Sequence, residues 1–222
     1  MDRRRLLPQN RGMERQYDTA EVSADRIIHA IGVAFGLIGG TLLLTFAAET
    51  ASPAGLIATI LYVIGLIATL VCSAAYNLAV ASPRRELLRR MDHAAIFLMI
   101  AGTYSPFTLG RLDGAWSIWL AAVVWSVAIL GALAKLTVPR RIDRFAVVLY
   151  LALGWVVLVA LEPLLATLHP AVLILIAVGG LLYTAGVVFH LWRGLRFQNA
   201  IWHALVLSAA VCHYAAVIVN LS

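Results

Sequence analysis

The sequence predicts an all-α membrane protein of seven transmembrane helices, and three observations carry that prediction. First, 62% of the 222 residues are hydrophobic and only 13% are charged, whereas a soluble domain carries roughly a quarter charged residues. Second, apolar runs of about 20 residues, the length that crosses a bilayer core, recur through nearly the whole chain. Third, sixteen of the seventeen Lys and Arg residues fall on one side of the membrane that those runs define.

The chain opens on a basic, polar tail, 1–25, with no apolar stretch before a small-residue cleavage site, so it does not read as a cleaved signal peptide. Residues 26–222 then form a single membrane domain. Its spans read as 27–47, 54–80, 92–110, 115–136, 145–166, 170–192 and 200–220. Pro53, Pro83, Pro139 and Pro170 fall between spans, as helix boundaries should. The two cysteines, Cys72 and Cys212, sit inside apolar runs and read as small packing residues, not a disulfide framework. Trp116, Trp119, Trp192 and Trp202 read as interfacial anchors.

Orientation follows from the basic residues. Arg3, Arg4, Arg5, Arg11, Arg15 and Arg26 precede or open span one, and Arg84, Arg85, Arg89 and Arg90 follow span two. Lys135, Arg140, Arg141 and Arg144 follow span four, Arg193 and Arg196 follow span six, and only Arg111 lies opposite. The positive-inside rule makes the crowded side cytoplasmic, with the N-terminus inside and the C-terminus outside. Topology and anionic inner-leaflet lipid account for the net charge of +6, which excludes nucleic acid as the reason for it.

Polar side chains are costly in hydrocarbon and mark functional sites there. Ser73 and Asn77, four apart and so on one helix face, close span two at the cytoplasmic end. Asp92 and His93 open span three at that end. Asn199 and His203 open span seven with the same four-residue spacing, and Asp25 and His29 repeat it at span one. His190 closes span six at the same depth. These residues predict one pocket in the cytoplasmic half. Each has a plainer reading: Ser73 bonding across helices, Asp92 as the N-cap of span three, and His93 and His190 as packing or solvated groups. His213, about 15 Å beyond His203 along span seven, lies too far out to join the pocket. An interhelical hydrogen bond is its plainer role.

Three strings, "MDHAAIFLMIAGTYSPF" from Met91, "SAAYN" from Ser73 and "NAIWHALVLSAAVCHY" from Asn199, resemble the hemolysin III family. That family is the bacterial branch of the progestin and adipoQ receptor (PAQR) superfamily, more distantly related to alkaline ceramidases. The resemblance runs from about Tyr17 to the end and implies a seven-helix fold in the bacterial inner membrane. It also implies a catalytic zinc site, with the Asp matching Asp92 holding a metal-bound water. Each family motif is altered. Asp25 replaces an Asn between Glu21 and His29, with the Glu one residue further away. Asn77 replaces the ligand His of S-x-x-x-H, and Asn199 replaces the first His of H-x-x-x-H. Of the implied zinc ligands only His203 remains.

Zinc favours imidazole, thiolate and carboxylate donors, and asparagine offers only a neutral carbonyl oxygen. The expectation is therefore a family protein with weakened zinc binding, acting on membrane lipid by binding or homeostasis, with a small lipid ligand in the bundle. The alternative is an active metal-dependent hydrolase of a lipid amide or ester, in which Asp25 completes a rearranged metal set with His29, Asp92 and His203. A pore ranks last, because a few polar groups at one end outline no continuous aqueous path.

Overall fold

The computed structural model describes residues 17–79, 82–138 and 143–222, and the described residues are helical apart from short connections. The helices are α1 (Thr19–Thr50), α2 (Pro53–Leu78), α3 (Arg85–Thr108), α4 (Gly114–Thr137), α5 (Asp143–Gly154), α6 (Leu161–Thr167), α7 (Pro170–Leu191) and α8 (Gln198–Leu221). A 3-10 stretch, Trp155–Ala160, joins α5 to α6. Arg3, Arg4, Arg5, Arg11, Arg15, Pro139, Arg140 and Arg141, used above for topology, lie outside the described residues.

Local chemistry sets the helix starts. Asp18 and Glu21 form a capping box: the Glu21 amide donates to Asp18 Oδ1 (2.8 Å) and the Asp18 amide donates to Glu21 Oε2 (3.0 Å). Such a cap is worth about 1 kcal/mol. It begins α1 well before the apolar run, so Asp25 and His29 are both helical. Ser52 caps α2 and His169 caps α7, each followed by Pro at the first helical position, where its missing N–H costs nothing.

Six helical segments are long and apolar enough to cross a membrane: α1, α2, α4, the Phe145–Thr167 run, α7 and α8. The protein is an integral membrane protein on that count, and α3 differs from the expectation in two ways. It begins at Arg85, so Asp92 lies within the helix and is not its N-cap. Charge reads as loop in a hydropathy profile, yet Glu86 pairs with Arg89 (2.8 Å) and Arg90 (3.1 Å) one turn on, which supports helix. It is also the least apolar of the long helices, with Asp92, His93, Thr103, Tyr104, Ser105 and Thr108 along it. Protein, not lipid, surrounds that polar length: Ala101–Thr108 is buried throughout, and α3 packs between α2 and α4 while touching α5 and α8. The hydroxyls of Thr103, Ser105 and Thr108 donate to carbonyls one turn back.

α2 and α3 meet backbone to backbone. A Cβ at Gly65 would stand 2.8 Å from the Leu98 carbonyl oxygen, and one at Gly102 would stand 2.8 Å from that of Leu61. Further along the same antiparallel seam, Thr69 Oγ1 donates to the Ala95 carbonyl (2.9 Å). The next step of this register sets Ser73 against Asp92. Small residues allow this approach, and dispersion and weak polar contacts hold it where lipid supplies no hydrophobic drive.

The fifth apolar run is one span, Phe145–Thr167, as expected, but its α-helix gives way to a 3-10 stretch after Gly154. Tyr104 of α3 stabilises the break: its hydroxyl donates to the Gly154 carbonyl (2.8 Å) and accepts from the Val157 amide (2.8 Å). Pro163 lies in the first turn of α6, where it is tolerated. α5 and α6 close the ring only loosely against α7, through Trp155 Nε1–H donating to Thr184 Oγ1 (3.1 Å). Trp116, Trp119 and Trp192 are exposed as anchors would be, but Trp202 turns inward and packs on Gly186 and His190.

Gly65→Val should lower the melting temperature of the detergent-solubilised protein by several degrees, since overpacking a tight seam costs about 1–3 kcal/mol. Gly154→Ala should not, because an added Cβ there meets nothing within 4 Å. Equal melting of the two variants would contradict the close seam.

Candidate functional site

Two polar groups meet at the end of the bundle where α1 and α8 begin. In the first, Asp25 and His29 stand one turn apart on α1, and His203 comes from the second turn of α8. Asp25 Oδ1 lies 2.6 Å from His203 Nδ1, and Asp25 Oδ2 lies 3.6 Å from His29 Nε2. The two imidazole centroids are 4.4 Å apart. In the second, the antiparallel α2–α3 register brings Ser73 of α2 to the Asp92 carboxylate of α3, and both line the same cavity. Asn77 donates from Nδ2 to the Ser73 carbonyl (2.9 Å) and to Ser73 Oγ (3.4 Å).

Both groups open on one cavity of about 1460 Å³, lined by His29, Ser73, Asn77, Asp92, His93, Asn199 and His203. His93 also accepts, through its carbonyl, from the Tyr150 hydroxyl (2.8 Å). Of the residues expected at the pocket, Asp25 is absent from this lining but contacts His203, which lines it. One grouping differs from the expectation. Asp92 is not part of the metal-capable set, which comprises Asp25, His29 and His203, but lines the same cavity as His29 and His203.

The donors Asp25, His29 and His203 offer ligand atoms all within 4.8 Å of one another, the one such cluster among the described residues. Two imidazoles and a carboxylate match the His₂-carboxylate sets of catalytic zinc sites, which leave a position open. His29 Nε2 is buried without a hydrogen-bond partner, a costly state for an imidazole nitrogen that a metal would relieve. The residues therefore fit a divalent metal. Asn77 is turned into its own helix and points to a different role.

A clasp that the sequence reading missed holds α1 against α8. Glu21 Oε1 accepts from the Phe197 amide (2.8 Å), and Phe197 has the left-handed backbone (φ 59°) that opens α8. Arg196 donates to Asp18 Oδ2 (3.1 Å), the Tyr17 hydroxyl to Gln198 Oε1 (3.4 Å), and Gln198 Nε2 to the His190 carbonyl (2.8 Å). The Glu21 amide, and then Arg196, hold the Asp18 carboxyl below the usual carboxylate range. The signal was legible: Asp18-x-x-Glu21 before an apolar run is a capping-box signature.

Residues 22–214 match the family model for Haemolysin-III related proteins. The chain belongs to the hemolysin III family. It is 32% identical over 198 residues to the Hemolysin-3 homolog of Bacillus subtilis, covering 89% of this chain and 93% of that one. It is also 32% identical over 199 residues to Hemolysin-3 of Bacillus cereus, covering 89% and 90%. The human monocyte to macrophage differentiation factor is 27% identical over 165 residues, covering 71% of this chain and 67% of that one, which is consistent with the wider PAQR superfamily. No solved structure matches significantly. The matched region of this hemolysin III protein contains the whole triad, Ser73 and Asp92.

If the triad holds zinc, Glu21→Ala should weaken that binding, measured against a competing chelator, because Glu21 fixes the Phe197 turn that opens α8 ahead of His203. Arg196→Ala breaks only an exposed pair and should change it little. Equal losses would show that the clasp does not position the triad.

Proposed function

We propose that this hemolysin III protein is a membrane-embedded, metal-dependent hydrolase of a lipid amide or ester. The observation that supports it is the metal-capable triad, two of whose members line one cavity together with Ser73 and Asp92. The cavity suits a lipid. Exposed apolar residues on both sides of the loose α5–α6/α7 contact, among them Leu158, Leu165 and Ile174, also line it, so an acyl chain can enter sideways. At the polar end, Arg85 lines the cavity with Nη1 buried and unpartnered, which suits an anionic head or a carboxylate product.

Asp25, His29 and His203 would hold the metal, which when bound polarises a carbonyl and lowers the pKa of water. Asp92 then receives the proton of the attacking water and returns it to the leaving group. Ser73 holds that carboxylate in place, and Asn77 holds Ser73. Asn77 thus orients the base, and Asn199 lines the space left for the substrate's polar end. Asp25 supplies the anionic donor that compensates for the two lost histidines.

A second reading, lipid binding without turnover in membrane homeostasis, is favoured by the 2.6 Å Asp25–His203 contact, which satisfies both partners without a metal. In either reading α3 is the seventh span, shielded by its neighbours. The N-terminus and the site face the cytoplasm of a bacterial inner membrane, as the arginine distribution supports. Membrane lipid is then the partner at the site.

Lipid amides and esters presented in mixed micelles should be turned over by the zinc-loaded protein. Asp92→Asn should lose at least about a hundredfold of that rate while retaining metal, and unchanged turnover would remove Asp92 from the chemistry. Absence of turnover in the loaded wild type, with lipid still bound, would favour the second reading. A periplasmic-activity reporter fused after Ser222 should be active and one fused before Asp18 silent; the reverse pattern would overturn the orientation.

A further inference from the structure

The same cavity holds a second polar place that the hydrolytic chemistry does not use. His213 lies ten residues beyond His203 on α8, about 15 Å along the axis, and lines the cavity. Only 8% of it is exposed. Gly179 of α7 makes room for the ring, since a Cβ there would stand 2.4 Å from it. His213 Nε2 lies 3.2 Å from the Ile176 carbonyl oxygen. A carbonyl only accepts, so Nε2 carries the proton, and the other nitrogen of the neutral ring is an acceptor.

That acceptor, Nδ1, is buried and has no hydrogen-bond partner among the described residues. The interhelical bond anticipated for His213 therefore exists but uses only half of the side chain. Tyr183, which also lines the cavity, packs on the ring at 5.6 Å between centroids. Tyr62 lies within electrostatic reach of Tyr183, and its hydroxyl is likewise buried without a partner. The lining also includes the apolar Ala177, Val206 and Leu207.

We propose that His213 forms a subsite that accepts a hydrogen bond from a hydroxyl on the lipid chain. The cavity then selects a lipid with its polar end at the triad and a hydroxyl in mid-chain, about 15 Å away. This rests on the reading of the cavity as a lipid site. A chain without the hydroxyl leaves Nδ1 buried and unpaired, and the asymmetry between a met and an unmet buried acceptor sets the selectivity.

Three probes test it on the full chain in nanodiscs by equilibrium binding: oleate, its hydroxylated counterpart ricinoleate, and the O-methyl ether of ricinoleate. Ricinoleate should bind about tenfold tighter than oleate. The ether can accept but not donate, and should bind no tighter than oleate. His213→Phe, which keeps a ring against Gly179, should lose the preference while still binding oleate. Equal binding of oleate and ricinoleate by the wild type overturns the subsite and leaves the lipid reading standing, a water then serving Nδ1. Binding of neither overturns both. A preference shared by the ether, or kept by His213→Phe, shows a donor elsewhere and overturns the assignment to His213. The wild-type comparisons decide the matter even if the variant does not fold.

Discussion

A carboxylate among membrane helices is tolerable only when other groups meet its charge, and Asp25 is the place where this protein satisfies that condition. One oxygen reaches His203 of α8 and the other approaches His29 of its own helix. The contact joins the first helix to the last, and the clasp of Glu21 on Phe197 fixes the approach from outside. Without Asp25 the two imidazoles would face each other 4.4 Å apart with no anion between them. The same carboxylate completes the one metal-capable cluster among the described residues.

The opposite wall depends on a second constraint, the close seam of α2 and α3. Gly65 and Gly102 bring the backbones together, and the antiparallel register carries Ser73 to Asp92. α3 has too much polar length to face lipid, so its neighbours enclose it and its hydroxyls bond within the bundle. The two walls are thus built by different means, a carboxylate–imidazole contact between α1 and α8 and backbone packing between α2 and α3. The cavity is the space between them.

Much of this was legible in the sequence. Apolar run length gives the helices, and the four-residue spacings of Asp25/His29, Ser73/Asn77 and Asn199/His203 place each pair on one face. What was not legible depends on contacts between distant segments. The charged start of α3 reads as loop until its Glu86–Arg pairs are seen. The break after Gly154 needs Tyr104 from another helix. His213 looked remote from the pocket because axial distance says nothing of a cavity long enough to reach it. The division of the acidic residues, Asp25 with the histidines and Asp92 with Ser73, follows from helix neighbours, which no local pattern encodes.

The proposed metal site is Asp25, His29 and His203, with Asn77 and Asn199 outside it. X-ray absorption at the zinc edge, on protein purified without added metal or chelator, tests it most directly. The account predicts bound zinc with an oxygen and nitrogen shell that contains two imidazoles and a carboxylate, and that loses its carboxylate in Asp25→Asn. Metal-free protein that takes up no zinc on titration, or a shell unchanged in Asp25→Asn, would contradict it.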